Sequence, residues 1–136
     1  MHISLRPGEK FYINGAVVRV DRKVSIELLN DATFLLEAHV MRVDEVTTPL
    51  RQLYFIVQIM LMNPADTPAA GQMFASALAG NRQSLDHGEI AKGLAHVERL
   101  VAENRKFEAL KTIRALLPLE AEALNKDEAL KPEQAA

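Results

Sequence analysis

The chain has 136 residues, of which 49% are hydrophobic and 25% charged, and its formal net charge is −2. This length fits one domain, or a small β module with a helical region, and this apolar content excludes wholesale disorder. The lack of cysteine excludes disulfides and thiolate metal sites, and the low aromatic content of 5% argues against a broad base-stacking platform.

The N-terminal segment is predicted to form four or five short antiparallel strands. Pro7-Gly8 turns the chain after an alternating run at 2–5, and Asn14-Gly15 joins two arms at 10–13 and 16–20. Asn-Gly between apolar runs is a strong hairpin signal, because a type I′ turn needs two residues that tolerate positive φ. Further strand candidates follow at 24–28 and 33–36. Such a module buries little surface alone, so it needs a second layer or a second copy.

Residues 38–48 show no clear pattern and are interpreted as a loop. Thr48-Pro49 then predicts a helix start, with a hydroxyl cap followed by proline at the first helical position, and Asn63-Pro64 predicts its end. This helix is apolar on nearly all sides, and its stripe includes Leu53, Tyr54, Val57 and Met60. Because such a helix is buried on more than one face, we expect it to meet the β module or another subunit. A homo-oligomer is the resulting prediction.

Three more helices are predicted, beginning at Thr67-Pro68, near Asp86-His87 and after a break at Asn104. Pro118 is predicted to limit the fourth helix, since proline disrupts a helix interior. The fold class is therefore α+β, with an N-terminal antiparallel β module at 1–47 and about four helices at 48–118. The acidic stretch at 119–136 is predicted to be a frayed tail.

The sequence contains no motif that predicts catalysis. The glycines do not form a phosphate-binding loop, and no serine lies in a nucleophile elbow. The histidines at 2, 39, 87 and 96 lack the spacing of zinc ligands. We therefore expect that the protein is not an enzyme and that it has neither a metal site nor a cofactor.

Two binding hypotheses remain open. The first is binding of an RNA or DNA backbone by basic side chains around the β turns, with one tyrosine for stacking: Arg6, Lys10, Tyr12, Arg19, Arg22 and Lys23. The second is binding of a protein by the helices, through the apolar residues Leu53, Tyr54, Val57 and Met60 and the basic residues Arg105, Lys106, Lys111 and Arg114. The chemistry of the residues does not favour either hypothesis over the other.

Three blocks of the sequence resemble the FlbT family of flagellar biosynthesis regulators. They are Leu5 to Val17 with its two turns, Thr48-Pro49-Leu50-Arg51-Gln52-Leu53-Tyr54-Phe55, and the stretch from Phe107 to Glu120. The resemblance implies post-transcriptional control of flagellin synthesis through the 5′ untranslated region of flagellin mRNA. Repression is expected ahead of activation, although the effect is positive in some members of the family and the sequence does not give the sign. It also implies flagellin and the small protein FlaF as partners, and it supplies no RNA-contacting residues.

The start of the chain is also similar, more loosely, to CsrA-type translational regulators, although their RNA-contacting motif is not recognisable here. The most apolar run, at 53–62, is shorter than the roughly 20 residues that span a bilayer. The N-terminus lacks the apolar core of a signal peptide. We therefore expect a soluble cytoplasmic protein without membrane contact.

Overall fold

The computed structural model describes residues 2–30, 32–86 and 88–130, with side chains as far as Lys126. It confirms the predicted α+β class, with five antiparallel strands followed by four helices. The strands are β1 (His2–Leu5), β2 (Lys10–Ile13), β3 (Ala16–Arg19), β4 (Val24–Glu27) and β5 (Phe34–Leu36). The helices are α1 (Pro49–Met62), α2 (Thr67–Gly80), α3 (Gly88–Ala102) and α4 (Lys106–Leu130). His87 and the end of the tail, 131–136, lie outside the described residues.

The strands form two small sheets that enclose an apolar layer. β1 pairs with β4 in one sheet, and the other sheet has the order β3-β2-β5. Ile3 and Leu5 of the first sheet cluster with Phe11 and Phe34 of the second. The opposite face of the three-stranded sheet joins the helical core, where Leu35 is fully buried. The helices therefore supply the second layer that the small β module requires.

The hairpin between β2 and β3 has the predicted turn. Asn14 and Gly15 adopt φ values of 49° and 86°, which a type I′ turn requires at both central positions. The turn is also tied to the chain before β5, because the Asn14 N–H donates to the Thr33 carbonyl at 2.7 Å. The Asn14 side-chain oxygen accepts from the Thr33 N–H at 3.1 Å. Gly8, with φ 82°, makes the turn before β2.

Helix α1 is the centre of the helical layer. Thr48 caps it as predicted, since its Oγ1 accepts from the Arg51 N–H at 3.3 Å. Helices α2 and α4 pack on it, and so do β2 and β5. The chain itself thus covers the helix whose excess of apolar surface predicted a homo-oligomer. That oligomer stays a prediction, which light scattering at micromolar concentration will test.

Residues 38–48 are more ordered than a plain loop. They contain short 3-10 turns at Glu37–His39 and Val43–Glu45. The buried Gln58 side chain holds the segment between them, because its Oε1 accepts from the Met41 N–H at 2.6 Å and its Nε2 donates to the Met41 carbonyl at 2.9 Å. The Gln58 amide on α1 therefore makes the hydrogen bonds with Met41 that a neighbouring strand would otherwise make.

The prediction that Pro118 limits the last helix is wrong, because α4 continues through it to Leu130. Pro118 has no N–H to donate to the Arg114 carbonyl, and it lies on the exposed side of the helix. Two residues further on, the buried Glu120 carboxylate accepts from the Leu50 N–H at 2.9 Å and from the Thr48 hydroxyl. These bonds fasten the interior of α4 to the start of α1, where a negative charge is favourable. The segment at 119–130 is helical where a frayed tail was predicted, and the rest of that tail, 131–136, lies outside the described residues.

Candidate nucleic-acid interface

The strand register gathers five basic residues at one end of the β module, which we call the basic end: Arg6, Lys10, Arg19, Arg22 and Lys23. Lys10 lies directly opposite Arg19 on the neighbouring strand. Leu5 lies opposite Val24, so Arg6 and Lys23 come next on β1 and β4. The turns that carry these residues touch, since the Gly8 N–H donates to the Val20 carbonyl at 2.7 Å.

Nearby carboxylates neutralise this end only in part. Asp21 forms two bonds of 3.1 Å with the Arg22 guanidinium, which lowers the pKa of the Asp21 carboxyl and raises the pKa of Arg22. Both side chains are exposed, so this pair is weak and open to exchange. The Glu9 carboxylate instead accepts from the Arg6 backbone N–H at 2.8 Å.

Within the part of the chain that the structure describes, Arg6, Arg19 and Lys23 form no salt bridge. All three are exposed. The basic end therefore presents three cations directly to solvent, with Lys10 half-buried beside them.

Tyr12 occupies a different environment from the one that stacking requires. It is half-buried and packs against the helical core, opposite Val17 on one side and Leu35 on the other. Its ring is therefore engaged by the chain itself and does not stand free as a stacking platform.

The structure separates the apolar and the basic residues of the helical hypothesis. Leu53, Tyr54, Val57 and Met60 are at most 3% exposed and belong to the main core. The apolar pattern of α1 predicted burial on more than one face of that helix. It did not show that α2 and α4 of the same chain cover these faces. These four residues therefore hold the fold together and present no surface to a partner.

The basic residues at 105–114, just before and along α4, lie near the surface, and three of them contact groups of the same chain. Arg105 pairs with Glu103 at 3.3 Å and with Glu108, and the hydrogen bond to Glu108 is the main cause of its raised pKa. Lys106 is half-buried at the start of the helix. The Lys111 ammonium lies 5.7 Å from the centre of the Phe107 ring.

Arg114 lies over the Tyr54 ring at 6.0 Å and donates to the Tyr54 hydroxyl at 3.3 Å. Cations over aromatic faces are held in place while they keep their charge. Lys111 and Arg114 are therefore positioned cations on the same side of α4.

His39, which its spacing did not single out, connects the two basic groups. Its turn contains Glu37, whose carboxylate accepts from the Lys10 N–H at 2.6 Å. Its own carbonyl accepts from the Tyr54 hydroxyl at 2.6 Å, beside Arg114. Burial lowers the pKa of His39, and the charges of Arg114 and Lys111 lower it further. The turn of Glu37 and His39 therefore contacts both the basic end and the part of α1 that faces Arg114.

The described residues contain no group of three or more His, Cys, Asp or Glu side chains that would hold a metal ion. Over the same ranges, no helix has both the length and the apolar character that a membrane crossing requires. The fold and the surface thus define a small α+β protein with a cluster of basic side chains at one end of its β module.

Comparison with known proteins gives the family. The model of the family described as "Flagellar protein FlbT" matches residues 1–124, and the chain belongs to this family. A relative from Mesorhizobium japonicum is 56% identical over 124 residues, covering 91% of this chain and 84% of the relative. Relatives from Brucella ovis and Brucella abortus are also 56% identical, with 82% of their length covered. All three are named "Probable flagellum biosynthesis repressor protein FlbT". No solved structure matches this chain.

Proposed function

We propose that this protein represses flagellum biosynthesis by binding the 5′ leader of flagellin mRNA in the cytoplasm through its basic end. The repressor role follows the names of relatives that are 56% identical. The observation that supports a nucleic-acid ligand is the register that brings Lys10 opposite Arg19 and places Arg6 beside Lys23.

The electrostatics favour contact with phosphates over reading of bases. Cationic side chains on mobile stems neutralise phosphates and release condensed counterions, which drives binding without base contacts. Tyr12 is half-buried, so stacking contributes little to this surface. The net charge of −2 does not oppose the proposal, because the relevant field is local and the cations lie at one end.

The cations on α4 extend the path available to an RNA strand. Lys111 and Arg114 are held over aromatic rings, and the turn that contains Glu37 and His39 lies between them and Lys10. A strand that crosses the basic end and passes this turn would then meet two further cations on α4. We assign these cations the secondary role of lengthening the contact.

The decisive experiment is a titration of the flagellin leader RNA at several salt concentrations with a triple variant, Arg19→Ala, Arg22→Ala and Lys23→Ala. Each phosphate contact on a single strand contributes about 0.7 to the slope of log K against log salt concentration. The triple variant is therefore expected to lower the slope by about 2 and to weaken binding roughly a hundredfold near 0.1 M salt.

A matched variant removes three exposed cations elsewhere, with Arg82→Ala, Lys92→Ala and Arg99→Ala. It changes the net charge by the same amount but leaves the basic end intact, so it is expected to keep most of the affinity. If both triple variants bind alike, the ligand responds to overall charge and the basic end is not the site.

The same titration separates this proposal from an adaptor or chaperone role. An adaptor for flagellin or FlaF would capture its protein partner from RNase-treated extract while the purified protein fails to bind the leader. That result would replace RNA contact as the explanation. Reporter translation in cells with and without the protein gives the sign, and increased flagellin synthesis would contradict repression.

A further inference from the structure

Strand β3 is a free sheet edge. It lies at the outside of the three-stranded sheet, because its partner β2 pairs with β5 on the other side. Among the strands of the described part, β3 is the one in which all four residues are exposed. Val17 is 63% exposed and Val18 is 40% exposed. An uncovered edge with β-branched side chains is a template for another strand.

The hydrogen bonds around β2 identify which groups of β3 are free. The N–H groups of Asn14 and Lys10 point towards β5, where they donate to the Thr33 carbonyl and the Glu37 carboxylate. Alternate residues of β2 must therefore point towards β3, and the Glu9 carbonyl accepts from the Val20 N–H at 3.2 Å accordingly. On β3, the backbone groups of Val17 and Arg19 then face away from β2. Two residues of an added antiparallel strand can form up to about four hydrogen bonds with them.

The side chains along this edge determine what strand fits. Val17 and Arg19 share one face of the sheet with Lys10, which lies directly opposite Arg19. A residue paired with Arg19 therefore lies beside one cation, with Lys10 one strand further away, so a carboxylate is favoured there. The residues paired with Val18 and Val17 meet apolar surface, one on each face. Read from its own N-terminus, the added strand then has an acidic residue followed by two apolar residues.

We propose that β3 binds an extended segment of a partner protein with this acidic–apolar–apolar order, as a fourth antiparallel strand. A second copy of this chain fits less well, because its own β3 has no carboxylate to place opposite Arg19. An edge of four residues spans about 13 Å and also buries far less than the roughly 1,200 Å² of a stable protein interface. A short peptide needs less area and gains affinity from main-chain bonds. The proposal does not depend on RNA binding.

The test uses a short fluorescein-labelled peptide with a glutamate followed by two valines at its centre, and a matched peptide with lysine in place of glutamate. Fluorescence anisotropy with the full chain is expected to show roughly tenfold tighter binding of the glutamate peptide. Arg19→Glu is expected to weaken that peptide by a similar factor and to improve the lysine peptide. The control is Arg99→Glu, an equal charge change at an exposed position of α3, which should alter neither affinity by more than about twofold.

NMR spectra of the wild-type protein give an independent outcome that does not rely on a variant. The peptide is expected to shift and protect the amides of Val17 and Arg19. Equal affinity for the two peptides, or shifts confined to the helices, would overturn the proposal. It also fails if light scattering shows a peptide-free dimer in which those two amides are already protected, since the edge then belongs to a second copy.

Discussion

Gly93 lies where α3 crosses α4, and the structure leaves no room there for a methyl group. A Cβ built on Gly93 would lie 2.6 Å and 2.7 Å from the two Cδ atoms of Leu116. Carbon atoms pack best at about 3.5–4.0 Å, so both contacts overlap by about 1 Å. Leu116 is 7% exposed and cannot swing into solvent. Gly93→Ala must therefore force the two helices apart or Leu116 out of its rotamer.

The expected free energy follows from two opposed effects. Overpacking of a core costs about 1–3 kcal/mol, while replacing glycine with alanine inside a helix contributes roughly 0.5–1 kcal/mol of stability. We expect Gly93→Ala to lower the free energy of unfolding by about 1 kcal/mol. The control is Gly71→Ala in the interior of α2, where no atom lies within 4 Å of the new Cβ. This control is expected to raise stability by about 0.5–1 kcal/mol.

Urea denaturation followed by circular dichroism measures both changes by linear extrapolation. Leu116→Ala adds a cycle that isolates the contact. Alone it is expected to cost about 2–5 kcal/mol. In its background the clash is absent, so Gly93→Ala should become stabilising. The close approach of α3 and α4 is wrong if Gly93→Ala stabilises the wild-type protein as much as Gly71→Ala does. It is also wrong if Gly93→Ala changes stability equally with and without Leu116→Ala.

Three further predictions concern α4 and its neighbours. Glu120→Ala leaves the Leu50 N–H and the Thr48 hydroxyl without their acceptor, so we expect a loss of about 2–3 kcal/mol in urea unfolding. Glu122→Ala, at an exposed position of the same helix, should change stability by less than about 0.5 kcal/mol. A loss as large as that of Glu120→Ala would contradict the capping role of Glu120. Pro118→Ala restores an N–H for the Arg114 carbonyl and is expected to raise the free energy of unfolding by about 1–3 kcal/mol; no gain would mean that the interruption carries no cost. The pKa of His39 is lowered in the folded protein by burial and by Arg114 and Lys111, so the unfolded chain binds more protons just below the ordinary value of about 6.5. Stability should be intact above that pH and fall as the pH drops below it, levelling off beneath the folded pKa, and a slope that survives His39→Gln would refute this origin.

The sequence by itself determined the local geometry of the chain. Asn14 and Gly15 make the hairpin because they tolerate positive φ, and Thr48-Pro49 begins α1 because a hydroxyl cap and a proline suit a first turn. Asn104, with φ 62°, ends α3 for the same steric reason. Each of these features depends on residues within a few positions of one another. The α+β class followed from their order, and the three similar blocks led to the FlbT family.

The tertiary structure determined which neighbours these helices, turns and side chains contact. An apolar stripe shows that α1 is buried, but the packing of α2 and α4 makes Leu53 and Val57 core residues instead of a binding surface. Pro118 is a local stop signal that the long-range bonds of Glu120 outweigh. The place of His39 between two cationic groups depends on contacts with residues far away in the chain. Such contacts have no local pattern, because they form between side chains that share only a position in space.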